Sequence, residues 1–507
     1  YSGDPRASAV IRAAEQRLDE PLRVAIAGMV KAGKSTLLNA LLGEEIAPTG
    51  AGECTRVVTW YRFGLTPRVT LYRRDLPGAV NLPVRRSAGR LVLDLGGVLA
   101  EQVDRLEVEW PLASLRTVTL IDTPGIASAS TDVSARSLRF LLPDESPSAA
   151  DAVYLMRHLH ASDVEFLTAF RDTAAGRSGL VNAVAVLSRA DEVGAGRIDA
   201  LLAAKTIAER YRKDEQLRRL ALDVLPVAGL LAQSARTLHQ DERDAFAELA
   251  RLDRPARERL LVSADRFCRD DPALPLSAEV RRRLLHRYGM FGIRLAAVLQ
   301  RGGFPDAPDL SAELVRRSGL DELRRTIATR FQARAEELKA RSALGAVLAL
   351  LDERPPEAVD RLRAAAERIL AGDHELRELV TLGVLRTEER GLQADVRGEA
   401  ERLLGGDGVE PAVRLGLGEE AAGAEVRAAA ADAVRRWRIR AENPLTDRRM
   451  VELCRTVVRS AESILVAAAA DGADGESGSG AGAASGGAGR VDALGASLVL
   501  RRARSAG

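Results

Sequence analysis

The sequence predicts an α/β fold, a P-loop domain on a doubly wound, mostly parallel sheet, followed by an all-α helical neck and trunk bundle. Three observations predict it. "LRVAIAG" (22–28) reads as a buried strand ending in glycine, and "KSTLLNALLG" (34–43) reads as a helix closed by Gly43, with a short glycine loop between. Strand-like runs then alternate with helical stretches, as expected when helices cover both faces of one sheet. After residue 229 the strand-like runs stop and helix formers dominate.

Taken in order, residues 6–20 form a short helix before the first strand. Further strands are expected at 57–63, 68–72, 105–110, 117–122, 152–156, 181–187 and 223–227. "RLEVEW" (105–110) alternates strictly, which places it half-exposed near a sheet edge. "TVTLI" and "VNAVAVL" are nearly continuous apolar runs, as in the middle of a parallel sheet. Helices are expected at 161–173 and 197–219, and from 229 to 300 with a break at "RDDPALPL" (269–276). Residues 318–353 read as one long helix leaving the first domain, stopped by "RPP" (354–356). Residues 357–470 are helical with breaks at 405–406 and 442–445. The domains expected are a neck helix at 1–21, the P-loop domain at 22–320, neck and trunk at 321–470, and a tail at 471–507. Residues 471–490 hold eight glycines in twenty and cannot bury enough apolar surface to offset their ordering, so disorder is expected there.

The chain has 507 residues, enough for two or three domains, and a formal net charge of +2. That balance argues against a dedicated nucleic-acid binder. Three scattered cysteines (Cys54, Cys268, Cys454) fit a reducing cytosol, without a disulfide framework or a zinc cluster. No run reaches the roughly 18 apolar residues that a spanning helix needs. No signal peptide is visible, so a cytoplasmic protein is expected.

The chemistry lies in "GMVKAGKST" (28–36). Gly28, Gly33, Lys34 and Ser35 match G-x-x-x-x-G-K-[ST], with Val30, Lys31, Ala32 and Thr36 completing the loop. Its backbone N–H groups wrap a phosphate, Lys34 reaches the β- and γ-phosphates, and the Ser35 hydroxyl ligates Mg²⁺. "LIDTPG" (120–125) follows another apolar strand: Asp122 would hold the Mg²⁺, and the Gly125 N–H would sense the γ-phosphate. "LSRADEV" (187–193) stands where GTPases carry [NT]-K-x-D, with Ser188 for Asn or Thr and Arg189 for Lys. Asp191 can accept from guanine N1–H and N2–H, donors that adenine lacks. The planar Arg189 guanidinium can lie along the base. Thr55, just before a strand, is the choice for a switch residue on Mg²⁺ and γ-phosphate, with Thr49 the alternative. "LPVAGLL" (225–231) is the last base loop, with Val227 and Ala228 near the guanine edge.

Ile126 follows DTPG where Ras-like enzymes keep a water-orienting Gln, so hydrolysis needs other help. "AGMVKAGKSTLLNALLG", "PTGAGECTRVVTW", "DTPG", "SRADEVGAGRIDAL", "RYGMFGIRLA" (287–296) and "AENPLTDRRM" (441–450) resemble the bacterial dynamin-like proteins, in particular their actinobacterial isoniazid-inducible branch. The resemblance covers most of residues 5–470. It implies a GTP hydrolase that uses Mg²⁺, cycles between GTP and GDP, and assembles through its GTPase domains or with a paralogous dynamin-like protein. It also implies peripheral contact with a membrane lipid surface at the inner face of the cell membrane, and membrane remodelling. Division-septum support and antibiotic-stress repair are both compatible with it. Two other classes remain beside it. An Era-type ribosome or RNA GTPase would need a basic KH-like module, whereas the second half here is helical and charge-balanced. A septin-like scaffold with little turnover is kept open by the Ser188–Arg189 pair.

Only five of the 74 Lys+Arg residues are lysines, yet Lys31 and Lys34 share this loop. In dynamin relatives the residue at position 31 lines the γ-phosphate. Lys31 is therefore read either as a positive charge acting in cis on the transition state, beside Lys34, Ser35 and Thr55, or as a solvated loop lysine.

Overall fold

The computed structural model describes residues 4–49, 56–76, 78–87, 89–125, 151–174, 183–271, 274–387, 392–418 and 420–474. Helix α1 (Pro5–Asp19) leads into β1 (Leu22–Gly28) and, after the P-loop, α2 (Lys34–Leu42). There follow β2 (Thr59–Phe63), β3 (Arg68–Arg73), β4 (Ala79–Leu82), a hairpin of β5 (Arg85–Ser87) and β6 (Arg90–Val92), then β7 (Val103–Trp110) and β8 (Val118–Asp122). Next come β9 (Asp151–Met156), α3 (Ala161–Ala174), β10 (Ala183–Ser188), α4 (Ala200–Arg212), α5 (Glu215–Arg218) and β11 (Val224–Val227). Helices follow: α6 (Gly229–Arg236), α7 (Gln240–Arg251), α8 (Arg254–Leu260), α9 (Ala264–Cys268), α10 (Ala278–Arg301), α11 (Ala307–Arg317) and α12 (Leu320–Arg330). The last set is α13 (Ala335–Glu353), α14 (Val359–Gly372), α15 (His374–Thr387), α16 (Ala394–Leu403), α17 (Pro411–Leu415), α18 (Gly423–Ala441) and α19 (Arg448–Asp474).

Nine strands form one sheet in the order β11-β10-β9-β1-β8-β2-β7-β3-β4. From β11 to β8 every pairing is parallel, and β3 and β4 make an antiparallel edge. Val24, Ile26 and Val186 pack with Leu37 and Leu38 of α2 and Leu323 of α12 on one face. Ala25, Ala27 and Ile121 pack with Phe166 and Phe170 of α3 and Ala208 of α4 on the other. Both faces are thus buried, the reason β1 has no polar-out alternation, and the doubly wound α/β fold class holds.

Three expectations change. β7 lies inside the sheet between β2 and β3, not at an edge. Its charged residues stay because they pair on the sheet: buried Glu107 takes Arg62 at 3.1 Å and Arg105 at 2.9 Å. The single helix expected over 318–353 begins at Leu320, after the Gly319 cap, and is broken once, at Phe331. Gly319 takes φ +83 so close to β11 that a Cβ there would sit 2.3 Å from the Pro226 carbonyl oxygen. Phe331 turns into the main core and is followed by a 3₁₀ turn, Gln332–Arg334. The helix expected over 197–219 stops at the Lys213 cap and restarts at Glu215. The tail beyond Asp474 lies outside the described residues.

Helices α6 to α11 share a second core around Phe246, Tyr288 and Ile293. Ala7, Ile11 and Ala14 of α1 pack against Ala343, Val347 and Leu350 of α13. Lys339 fixes that contact by donating to the Leu18 carbonyl at 2.8 Å. Where the sheet domain meets the bundle, Arg334 donates to Leu404 O at 2.6 Å and Arg330 to Gly406 O.

Candidate nucleotide site

Adjacent parallel strands β1 and β8 bring the P-loop and the DTPG segment to one sheet edge, in a register that pairs Ile26 with Asp122. Carboxyl ends of parallel strands are where open α/β sheets bind ligands. Gly28 is required where β1 ends: its φ is +146, and a Cβ would stand 2.4 Å from Leu155 O of β9. Gly33, φ +95, caps α2 without a side chain. The N-terminal N–H groups of α2 are left facing the loop, the usual anion-binding arrangement.

Lys34 is buried and donates to the Gly28 and Met29 carbonyls, both at 3.2 Å. Burial pulls its ammonium below the ordinary lysine value, and Asp122 partly restores it. Ser35 Oγ donates to Asp122 Oδ2 at 2.8 Å. Asp122 is 8% exposed, and its other oxygen, Oδ1, is buried without a hydrogen-bond partner. Burial raises that carboxyl, while Lys34 and then Ser35 lower it. A buried carboxylate oxygen left open beside a serine hydroxyl suits a hard cation, so the residues fit Mg²⁺. Thr123 Oγ1 donates to Ile26 O at 2.9 Å and keeps the DTPG turn on β1. Gly125 then lies against the P-loop so closely that a Cβ would be 2.6 Å from Val30 Cγ2.

Lys31 is exposed and adopts φ +63, and Arg189 adopts φ +54. These are two of the three non-glycine residues with positive φ among the described residues, and one hydrogen bond joins them: Arg189 Nη2 donates to Lys31 O at 3.0 Å. Glu192 holds the guanidinium from the other side at 2.7 Å and is itself held by Arg157. Arg189 thus ties the 189–196 loop to the P-loop. Asp191 is 7% exposed, and burial pushes its carboxyl up to about 6. Ser188 is turned into the sheet, where its hydroxyl donates to Met156 O of β9 at 3.1 Å. Val227 and Ala228 are buried, and the Ala228 N–H donates to Ser318 O at 2.9 Å. Ala32 is buried as well, and Thr36 half-buried. Thr49 is exposed; Thr55 and Ile126 lie outside the described residues.

Three contributors escaped the sequence reading. Arg294 of α10 donates to Gly196 O at 2.5 Å and Leu261 O at 2.6 Å, clamping the loop that carries Asp191. Only the stretch "RYGMFGIRLA" hinted at it. Glu192 stands within "LSRADEV" with no role assigned to it there, and Arg157 lies in no motif.

Comparison with known proteins follows the same line. The dynamin family model matches residues 24–87. Isoniazid-induced protein IniC of Mycobacterium tuberculosis is 43% identical over 450 residues, 89% of this chain and 91% of that protein. Isoniazid-induced protein IniA of the same organism is 36% identical over 151 residues, 28% of this chain and 22% of that one. A solved oligomerised bacterial dynamin pair aligns over 92% of this chain and 76% of that one at 14% identity, with a TM-score of 0.32. Identity across nearly the whole of IniC, together with the dynamin match over the P-loop region, leaves one assignment: the chain belongs to the isoniazid-inducible branch of the bacterial dynamin-like proteins.

Proposed function

We propose that the chain is a GTP hydrolase that couples dimerisation of its GTPase domains to membrane association or remodelling. The observation that carries the nucleotide half is the Ser35–Asp122 contact at 2.8 Å, with Asp122 Oδ1 buried and open beside Lys34. Ser35 and Asp122, with Thr55, would hold Mg²⁺, which supplies positive charge to the β- and γ-phosphates. The backbone N–H groups of 30–36 cradle the phosphates, and Lys34 turns from the loop carbonyls to the γ-phosphate. Asp191 selects guanine over adenine, Arg189 flanks the base while anchoring the loop, and Gly125 N–H reads the γ-phosphate. With Ile126 at the position of the usual water-orienting Gln, Lys31 contributes the stabilising charge in cis.

Residues 22–320 serve as the GTPase domain, and 1–21 with 321–470 as neck and trunk. The α1–α13 contact supports that division. None of the described helices is long and apolar enough to cross a membrane, so contact with lipid is peripheral in this reading, at the inner face of the cell membrane. Partners are a second copy or a paralogous dynamin-like protein, and IniA is an example of such a relative. The test is GTP turnover against protein concentration with and without liposomes, paired with co-sedimentation. Turnover stimulated by concentration and lipid is expected. Turnover indifferent to both would refute the dynamin half, and no turnover would refute the hydrolase.

A further inference from the structure

We infer that Asn39 is a positioning residue for GTP turnover: it fixes the root of the chain segment leading to Thr49 and Thr55 onto the helix that carries Lys34 and Ser35. The inference rests on the GTPase reading above. Asn39 is 1% exposed on α2. Its Nδ2 donates to Ala47 O at 2.9 Å, and its Oδ1 accepts from Ile46 N at 3.0 Å and Ala47 N at 2.7 Å. A leucine would fill the same core position. The amide is needed because two buried N–H groups and one carbonyl of the following segment must be satisfied, and left unpaired they would lose the geometry that holds the segment to α2.

The same root is held from other sides. Glu44 accepts from Trp110 Nε1 at 3.2 Å, and Glu45 O accepts from Leu91 N at 3.1 Å. The Glu45 carboxylate meets Arg90 of β6 and, at 3.6 Å, Arg287 of α10. Residues 44–47 are therefore a fixed origin. One helix references both the phosphate-binding end, through Lys34 and Ser35, and the start of the segment that must bring a threonine to the same phosphate. A misplaced origin displaces that threonine while leaving the Lys34, Ser35 and Asp122 contacts intact.

The test uses the full chain with Asn39→Ala and Asn39→Asp, reading the thermal midpoint, the affinity for GDP with Mg²⁺, and steady-state kcat for GTP. Misplacement of a reacting group by about 1 Å costs on the order of 100-fold, so Asn39→Ala should lose about that in kcat, with GDP affinity within about twofold of the unaltered chain. Asn39→Asp keeps both acceptor bonds but sets a carboxylate oxygen against Ala47 O in place of the donor, so its kcat should fall as well. Unchanged kcat in either folded variant overturns the assignment. So does a parallel loss of GDP affinity and kcat, or failure of both variants to fold, since each makes Asn39 a general support of α2. If the unaltered chain shows no GTP turnover, the hydrolase reading falls, and this inference with it.

Discussion

If Asp191 reads guanine as proposed, stability and nucleotide binding should respond to pH in opposite directions. Burial, the largest effect, raises its carboxyl from 3.8 to about 6; Glu192 adds to the rise, while its own backbone N–H and Arg189 oppose it. Between those two values the folded protein holds more protons than the unfolded chain. Stability therefore increases as pH falls from about 6 towards 4, and the whole cost of the buried charge is present above pH 6. Roughly two pK units correspond to about 3 kcal/mol. Binding runs the other way. Only the ionised carboxylate accepts both guanine donors, so affinity should drop below pH 6, approaching about tenfold per unit. The assay is urea unfolding and GDP titration from pH 8 to 4.5, on the unaltered chain and on Asp191→Asn. Subtracting the variant removes other titrating groups, such as Glu337, whose carboxyl burial and then Glu375 push up. The difference in unfolding free energy should shift towards the unaltered chain by about 2 kcal/mol between pH 8 and 4.5. The pH slope of GDP affinity should vanish in the variant. An affinity slope equal in both proteins would refute the reasoning.

Two further outcomes are expected. Ser35→Ala removes the donor to Asp122 at 2.8 Å, so the gain in GDP affinity on adding Mg²⁺ should shrink by about tenfold or more, while Mg²⁺-free binding stays near its original value. Lys31→Gly relieves a lysine held at φ +63, so stability to urea should rise by about 1 kcal/mol while GTP turnover falls on the order of 10³-fold. Unchanged turnover would leave Lys31 a surface residue.

Much of the site was legible because its logic is local. Gly28, Gly33, Lys34 and Ser35 follow from a loop that must wrap a phosphate between a strand and a helix, and Asp122 from its place at the end of a second apolar strand. What was not legible depends on contacts between distant segments. Nothing near Gly319 announces that Pro226 will lie against it and end a helix there. The alternation of "RLEVEW" signals one polar face, but not that Arg62 and Arg105 would neutralise Glu107 inside the sheet. Ser188, Val227 and Ala228 occupy positions that the motifs assign to a base, and packing turns their side chains inward.

The two unusual residues of the sequence, Lys31 in the loop and Arg189 in place of lysine, turn out to be one feature. Each is a non-glycine in the left-handed region, a conformation that costs on the order of 1 kcal/mol or more and persists only where its surroundings enforce it. The bond between them supplies that enforcement, since Arg189 Nη2 grips the very carbonyl that the Lys31 backbone turns outward. A guanidinium suits this task better than an ammonium: its fork reaches Lys31 O with one nitrogen while Glu192 holds another at 2.7 Å. Arginine at position 189 therefore links its own loop to the P-loop. In the GTPase reading, the exposed ammonium of Lys31, engaged by no described side chain, is the charge that would meet the γ-phosphate.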